Sequence, residues 1–203
     1  MRATMSFRPA TMALSISLLA LPLMATAQST EIYIPVLVPV TGFLALGGTS
    51  QRNGALLAIK NAPASVKIRS ETSDTGASPE GATTALERAL ARGKVTAVAA
   101  SMLGPQMLAM LPIALENKVP LATVSGTASI TEKNNPYVFR FFPGDDVAKS
   151  AHVRYVLEEL KKKRVAVVYQ TTAYGQGGHG HIVSLLKKAG LAPVMEEALD
   201  VSV

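Results

Sequence analysis

The sequence contains no cysteine and no tryptophan, and only 5% of its 203 residues are aromatic. The absence of cysteine excludes a disulfide framework, a cysteine-ligated zinc site, an iron–sulfur cluster and a thiol nucleophile. Few aromatic side chains argue against a surface that stacks the bases of single-stranded nucleic acid. With 17% charged and 48% apolar residues, the chain is typical of a folded domain rather than of a disordered segment or a coiled coil.

An excess of charge of one sign is also missing over most of the chain. The net charge is +6, and two of the 20 basic residues, Arg2 and Arg8, precede the first acidic residue, Glu31. Without these two, 18 basic and 14 acidic residues leave +4. The basic residues are scattered apart from residues 161–164 and 187–188, where solvated helix ends are expected. The charge therefore predicts no nucleic-acid partner.

Residues 1–27 have the pattern of a secretory signal peptide. Arg2 and Arg8 precede an apolar run over residues 12–24, and the small residues of Ala25-Thr26-Ala27 follow. A positive start, an apolar run and small residues at −3 and −1 predict cleavage before Gln28 and a soluble exported protein. The alternative, an uncleaved membrane anchor, is weakened because a spanning helix needs about 20 apolar residues.

Beyond the leader, strand-like and helix-like segments alternate. Strands are predicted at residues 31–40, 66–72, 95–100, 119–124, 137–142, 164–170 and 192–197. Helices are predicted at residues 49–61, 78–93, 107–117, 145–163 and 181–189. This alternation favours an α/β fold with a Rossmann-like parallel sheet and right-handed crossovers. The apolar run over residues 165–168 favours a sheet that is covered on both faces.

Ligands of such sheets bind beyond the carboxyl ends of the strands. In this sequence those ends are the segments 39–48, 72–78, 101–106, 125–131 and 171–180. The binding residues are therefore expected in these five segments.

Four segments, in this order and spacing, resemble type I periplasmic solute-binding proteins, and the branched-chain amino-acid-binding group in particular. The first is Val38-Pro-Val-Thr-Gly42 followed by Gly47, and the second is Val119-Pro-Leu-Ala-Thr-Val-Ser-Gly-Thr127. The third is Tyr137-Val-Phe-Arg140. The fourth is Arg164-Val-Ala-Val-Val-Tyr169 followed by Ala173-Tyr-Gly-Gln-Gly177. The resemblance extends over residues 31–203.

The resemblance implies two lobes that close on an amino acid or similar small solute, which is handed without catalysis to an ABC permease in the inner membrane. It places the N-terminal ligand-binding lobe at residues 28–140 and the start of a second lobe at residues 141–203. Members of the family are considerably longer, so the second lobe is expected to be incomplete. We therefore expect a truncated gene product that is poorly stable or aggregates, because a parallel sheet without neighbours exposes its edges.

The resemblance also implies the ligand-binding residues. Ser125 and Thr127 match positions that donate hydrogen bonds to the ligand carboxylate, and Tyr174 matches an aromatic residue that lies on the ligand. Gly104 stands where the family commonly has a serine, and Ser101 lies three positions earlier. The acidic residue that meets the ligand ammonium is expected in the missing part of the second lobe.

Two alternatives to a transport protein remain open from the sequence. Residues 175–180 fit G-x-G-x-x-G, and Glu196 and Glu197 follow at the distance of a ribose-binding acid, which would suit a Rossmann-type nucleotide-binding enzyme. Against this, four residues separate the strand end at Gln170 from Gly175, whereas a dinucleotide-binding turn follows its strand tightly. The other alternative is a ligand-sensing receptor lobe that acts on a partner protein.

The remaining polar residues predict structure rather than chemistry. His179 and His181 are expected in a solvated loop, since a metal site needs a third ligand. Asp74 is expected to stabilise a turn, and Asp145 and Asp146 to cap the helix that enters the second lobe. The sequence thus predicts no metal and no cofactor.

Overall fold

The structure is a computed structural model, and it describes residues 31–201. Its strands are β1 Ile32–Tyr33, β2 Val36–Val38, β3 Ile68–Arg69, β4 Thr72–Asp74, β5 Val98–Ala99, β6 Leu121–Thr123, β7 Val138–Arg140, β8 Ala166–Gln170 and β9 Met195–Leu199. Its α-helices are α1 Ala45–Lys60, α2 Pro79–Ala91, α3 Gly104–Asn117, α4 Ser129–Glu132, α5 Asp145–Arg154 and α6 Ala173–Lys188. A π-helical turn, Tyr155–Glu159, continues α5.

All strand pairs among the described residues are parallel, which confirms the predicted α/β fold. Five strands form one sheet in the order β4-β2-β5-β6-β7. The short strands β1 and β3 pair beside this sheet, and β8 and β9 form a separate pair. Strand β2 lies between β4 and β5, so the strand order reverses at β2, as it does in doubly wound α/β sheets.

The single strand predicted over residues 31–40 is divided at Pro35. Ile32 pairs with Ile68 and Val36 with Thr72, so β1 and β2 keep one register against β3 and β4. Proline has no N–H to donate, but its carbonyl accepts a hydrogen bond of 3.0 Å from the amide of Ala99. The interruption therefore leaves the alignment of the sheet unchanged.

Helices α2 and α3 pack side by side and cover one face of the sheet. The start of α2 is as predicted: Ser78 accepts a hydrogen bond of 3.1 Å from the amide of Gly81, and Pro79 is the first helical residue. The fully buried side chains of this cluster include Leu37, Leu86, Met107, Met110 and Leu121. They form the main hydrophobic core.

A second, smaller cluster lies among α5, α6 and β8. Only Val153, Val167 and Leu186 are buried in it. The predicted helix over residues 145–163 is too long, because Lys161 adopts a left-handed backbone with φ of 53° and ends the helical turn. The predicted coverage of residues 165–168 on both faces is also wrong, since 54% of Val168 is exposed.

Three helices begin earlier than predicted, and all three have glycine in the first turn. Helix α1 begins at Ala45 and α3 at Gly104. Helix α6 begins at Ala173, so the loop predicted over residues 171–180 is wrong beyond Thr172. Thr172 caps this helix by accepting a hydrogen bond of 3.3 Å from the amide of Gly175.

The predicted signal peptide, residues 1–27, lies outside the described residues. Within residues 31–201 no helix is both long enough and apolar enough to cross a membrane.

Candidate binding cleft

A cleft of about 800 Å³ opens beyond the carboxyl ends of the strands. The wall from the first sheet, called here the first wall, consists of Phe43, Leu44, Ala77, Met102, Leu103, Gly104, Pro105, Val124 and Gly126. The opposite wall, called the second wall, includes Phe142, Asp145, Ala148, Lys149, His152, Gln170, Thr172 and Tyr174. Segments after β2, β4, β5, β6 and β8 thus meet at one cleft, as the topology of a parallel sheet predicts.

The predicted site residues divide into two groups. Gly104 and Tyr174 line the cleft, on opposite walls. Ser101, Ser125 and Thr127 lie behind the first wall, where each is at most 2% exposed. The structure therefore brings all five into one region, but it places the three hydroxyl-bearing side chains in the protein interior rather than at the cleft surface.

The buried hydroxyls differ in their hydrogen bonds. Ser101 Oγ donates to Gln106 Oε1 over 2.5 Å and accepts from the amide of Leu103 over 3.0 Å. Among the described residues, Ser125 Oγ and Thr127 Oγ1 have no hydrogen-bond partner. Buried polar groups are usually paired, so these two oxygens are free to accept or donate if a ligand or a water reaches them.

Gly104 is the point of closest approach between the loops after β5 and β6. A Cβ at position 104 would lie 2.1 Å from Thr127 Oγ1, which is far inside van der Waals contact. The hydroxyl of Thr127 thus occupies the space that a side chain at position 104 would need. With Thr127 in this position, only glycine fits at position 104 without a shift of the Thr127 side chain.

Gln106 was not identified from the sequence, although it organises the first wall. Its Oε1 accepts hydrogen bonds from Ser101 Oγ and from Thr75 Oγ1 over 2.9 Å. Its Nε2 lies 3.0 Å from the carbonyl oxygens of Thr75, Gly76 and Ser78. The signal in the sequence is a lone glutamine among apolar residues at the start of α3, and the residue is fully buried.

Asp74 stabilises the neighbouring turn, as predicted. Its Oδ1 accepts hydrogen bonds of 2.9 Å from the amides of Val40 and Gly76, and Thr41 Oγ1 donates to its Oδ2 over 2.5 Å. Burial alone would raise the pKa of Asp74, but these hydrogen bonds outweigh burial and lower the pKa below its ordinary value.

The second wall carries the charged side chains of the cleft. Lys149 Nζ lies 3.6 Å from Asp145 Oδ1, and the side chains are 14% and 8% exposed. Lys149 Nζ also donates to the hydroxyl of Tyr174 over 3.3 Å and lies 5.0 Å from the centre of its ring. The predicted capping role of Asp145 is wrong: Gly144 is the N-cap of α5, and no side chain caps this helix.

The geometry does not support the nucleotide-binding alternative. Residues 175–180 lie inside α6, so their amides belong to a helix rather than to a turn that surrounds a phosphate. His179 and His181 also lie on this helix, not in a loop. The His179 ring stacks on Tyr169 with centroids 3.9 Å apart, and its Nε2 lies 2.5 Å from Glu196 Oε2.

Comparison with known proteins gives consistent results. Residues 31–202 match the family model described as periplasmic binding protein. A Leu/Ile/Val-binding protein, BraC3 of Rhizobium johnstonii, is 27% identical over 92% of this chain and 52% of its own length. The chain thus spans about half the length of the curated relatives it matches.

Solved structures share the fold. The leucine-binding protein LivK of Thermotoga maritima superposes with a TM-score of 0.75 at 24% identity, covering 83% of this chain and 48% of LivK. An ABC transporter solute-binding protein of Rhodopseudomonas palustris, in complex with 3,4-dihydroxybenzoic acid, superposes with a TM-score of 0.76 at 25% identity. The match covers 85% of this chain and 48% of that protein. Because the family model covers all of the described residues, the chain belongs to the periplasmic binding protein family.

Proposed function

We propose that this chain is the exported substrate-binding component of an ABC importer, and that it binds an amino acid or a similar small solute without catalysis. The observation that carries this proposal is the cleft itself. Five strand-end segments and the start of α5 surround one hollow of about 800 Å³, which is the size expected for a small-molecule site. Related proteins bind Leu, Ile and Val or an aromatic acid, and these are the solute classes to test first.

The ligand-binding residues of this proposal are Ser101, Gly104, Ser125, Thr127 and Tyr174. Gly104 lets the backbone approach the ligand at the start of α3, where helix amides favour an anionic group. Tyr174 offers a ring and a hydroxyl from the opposite wall. The hydroxyls of Ser125 and Thr127 lie behind the first wall and are unpaired within the described chain, so they would have to turn toward the cleft to bind the ligand. Ser101 orients the loop after β5 through Gln106.

The proposal includes the route to the membrane. A signal peptide over residues 1–27 would direct the chain to the periplasm, where an ABC permease is the partner. Residues 28–140 form the N-terminal lobe, and residues 141–203 begin the second lobe. The cleft lies between these two parts, so ligand binding would reduce their relative motion, as in hinged binding proteins.

Calorimetric titration of the purified chain with leucine, valine and 3,4-dihydroxybenzoate tests this proposal, with Ala148→Phe as the variant that blocks the site. Ala148 is half-buried and lines the cleft, so a phenyl group there would fill the space of the ligand. Binding by the wild type and its loss in Ala148→Phe are expected.

Ala151→Phe is the matched control, because Ala151 lies on the same helix but is exposed. It should bind as the wild type does. A chain that binds none of the amino acids or benzoic acids, or an Ala148→Phe variant with undiminished affinity, would refute a solute site in this cleft.

A further inference from the structure

The positive charge of the chain is concentrated in two short segments near β8. Residues 161–164, together with Lys187 and Lys188, are six of the 18 basic residues that follow the predicted leader. Glu158 and Glu159 precede the first of these segments. Outside this group the other 12 basic and 12 acidic residues balance, so the net charge of +4 arises from these two segments and their acidic neighbours.

The two basic segments lie at the same end of the molecule. Residues 161–164 precede the start of β8, and residues 187–188 are the last residues of α6. The amide of Val194, which follows α6, donates a hydrogen bond of 2.9 Å to the carbonyl of Val165, which precedes β8. This bond fixes the turn after α6 beside the start of β8 and brings the two segments together. Residues 161–164, 187 and 188 are called here the basic end.

The basic end is far from the cleft. Gln170 and Thr172, which line the cleft, are at the carboxyl end of β8, whereas residues 161–164 precede its amino end. Helix α6 runs back from the cleft over 16 residues, a length of about 24 Å. None of the six described residues of the basic end lines the cleft. A partner of the basic end is therefore distinct from the solute.

The cations of the basic end are free to meet a partner. All six side chains are exposed, and no ion pair involves any of them within residues 31–201. Lys161 has a left-handed backbone with φ of 53°, so the chain turns at the start of the run. Like charges that are held close together repel one another, and an anionic surface that approaches them relieves this repulsion.

Exposed apolar side chains lie beside these cations. Leu160 directly precedes the run and is 45% exposed, and Val194 and Met195, at the start of β9, are half exposed. Such a mixture is typical of protein surfaces that lie on an anionic bilayer, where cations meet the phosphates and apolar groups enter the interface. A nucleic acid offers phosphates but no apolar layer. Five of the six cations are also lysines, which bind phosphate as point charges without the paired donors of arginine.

We propose that the basic end binds the headgroups of anionic phospholipids and thereby holds the exported chain at the surface of a membrane. Residues 161–164, 187 and 188 contact the lipid phosphates, and Leu160, Val194 and Met195 enter the headgroup layer. This contact leaves the cleft, at the other end of β8, uncovered. The inference goes beyond the proposed function, because it does not depend on a solute in the cleft.

Flotation of the purified chain with lipid vesicles on a density gradient tests this proposal, because bound protein rises with the lipid and aggregated protein does not. The chain is used from Gln28 onward, so that the apolar run of the leader does not contribute. Vesicles of phosphatidylethanolamine and phosphatidylglycerol should carry the chain upward. Vesicles with phosphatidylcholine in place of phosphatidylglycerol should not. About 0.5 M sodium chloride should weaken the binding, because salt screens exposed charges.

Two quadruple variants separate the basic end from net charge. K161Q/K162Q/K163Q/R164Q should bind at least about thirtyfold more weakly, because each cation near an anionic bilayer strengthens binding about fivefold. The matched control removes the same charge at exposed lysines elsewhere and should bind as the wild type does; it is K60Q/K94Q/K118Q/K133Q. Circular dichroism of each variant shows whether it is folded.

A further pair of variants tests the apolar contact. Leu160→Gln should weaken binding to the phosphatidylglycerol vesicles about threefold, because the apolar area that enters the interface contributes to binding. Leu46→Gln, at a leucine that is 85% exposed and distant in sequence from the basic end, should leave the binding unchanged.

Three results would overturn the proposal: no flotation with phosphatidylglycerol vesicles, equal flotation with both kinds of vesicle, or equal losses in the two quadruple variants. Tighter binding to duplex DNA than to lipid phosphate, unaffected by Leu160→Gln, would identify a nucleic-acid surface instead. Each of these results leaves the solute titrations of the cleft unchanged, so failure of this inference and failure of the proposed function are distinguishable.

Discussion

The part of the molecule with the five-stranded sheet and the part with β8 and β9 both consist of parallel strands and helices, but they bury their strands to very different extents. In the first part, β2 is buried at every position, and the surrounding cluster contains sixteen buried residues. In the second part, β9 is exposed at every position, and the cluster contains three. The first sheet has five strands and the second has two. The number of neighbouring strands and helices, rather than the apolar character of a strand, determines how much of it is buried.

Residues 165–168 illustrate this point. Val167 is 6% exposed because it faces α5 and α6, whereas 54% of Val168 is exposed on the other face. A parallel strand of this composition is usually covered on both faces. The open face of β8 is the clearest difference between the two parts, and we expect the two parts to differ in stability as well.

The largest effect is expected from truncating a leucine in the main core. Leu86 is fully buried among sixteen residues, so Leu86→Ala should lower the free energy of unfolding by about 4 kcal/mol. Leu186→Ala should lower it by only about 2 kcal/mol, because the smaller cluster around it can collapse or admit solvent. Urea unfolding measures both. Leu46→Ala, at a leucine that is 85% exposed, is the control, and equal losses for Leu86 and Leu186 would contradict the comparison.

Replacing a buried polar side chain in the first part should also lower the stability of the protein. Gln106→Leu removes the hydrogen bonds of this side chain and leaves the hydroxyls of Thr75 and Ser101 without their shared acceptor. We expect a loss of about 2–3 kcal/mol in the free energy of unfolding. Gln170→Leu, a glutamine in the second part, is the comparison and should lose less. An unchanged urea midpoint for Gln106→Leu would show that the hydrogen bonds of Gln106 do not stabilise the loops after β4 and β5.

The two faces of β8 should respond differently to one substitution. Val167→Thr places a hydroxyl against α5 and α6 and should destabilise by about 1–2 kcal/mol. Val168→Thr places it on the open face and should change stability by less than about 0.5 kcal/mol. Thermal unfolding followed by circular dichroism distinguishes the two. A large loss for Val168→Thr would mean that this face is covered in solution.

The smallest effect concerns pH. A hydrogen bond from Arg92 and another from Tyr33 lower the pKa of Glu71 below its ordinary value of 4.5. The ionised Glu71 carboxylate therefore stabilises the folded protein fully above pH 4.5. This contribution is lost as the pH falls through the lower pKa that Glu71 has in the folded state. Glu71→Gln should reduce the loss of stability on acidification, which urea midpoints measured between pH 7 and pH 3 would show. Glu87→Gln, an exposed residue of α2, should leave it unchanged.

Much of the fold was predictable, because local signals and tertiary structure agree in it. The apolar runs around Val36, Val98 and Leu121 form strands, and the Ser78-Pro79 start predicts α2 correctly. The errors in the helix starts occur where glycine lies in the first turns. Gly104 and residues 175–180 suggested loops because glycine disfavours helices. A Cβ at Gly104, Gly175 or Gly178 would lie within 3 Å of a neighbouring residue, so close packing favours glycine there, whereas Gly177 and Gly180 have no neighbour within 4 Å.

The site was predictable only in its location. The carboxyl ends of the strands do meet at one cleft, and Gly104 and Tyr174 line it. The directions of the side chains at Ser125 and Thr127 depend on how the loops pack, which spacing along the chain does not determine. Lys149 was missed for a similar reason: it is one of many lysines until α5 places it beside Asp145 and Tyr174.

In the proposed function, a small solute binds between the first wall and α5. Amide hydrogen exchange, measured with and without the tightest-binding solute of the panel, tests it most directly. Slower exchange is expected at residues 102–106, 124–128 and 145–149, with little change in β9. Protection confined to other segments, or no protection at saturation, would contradict it.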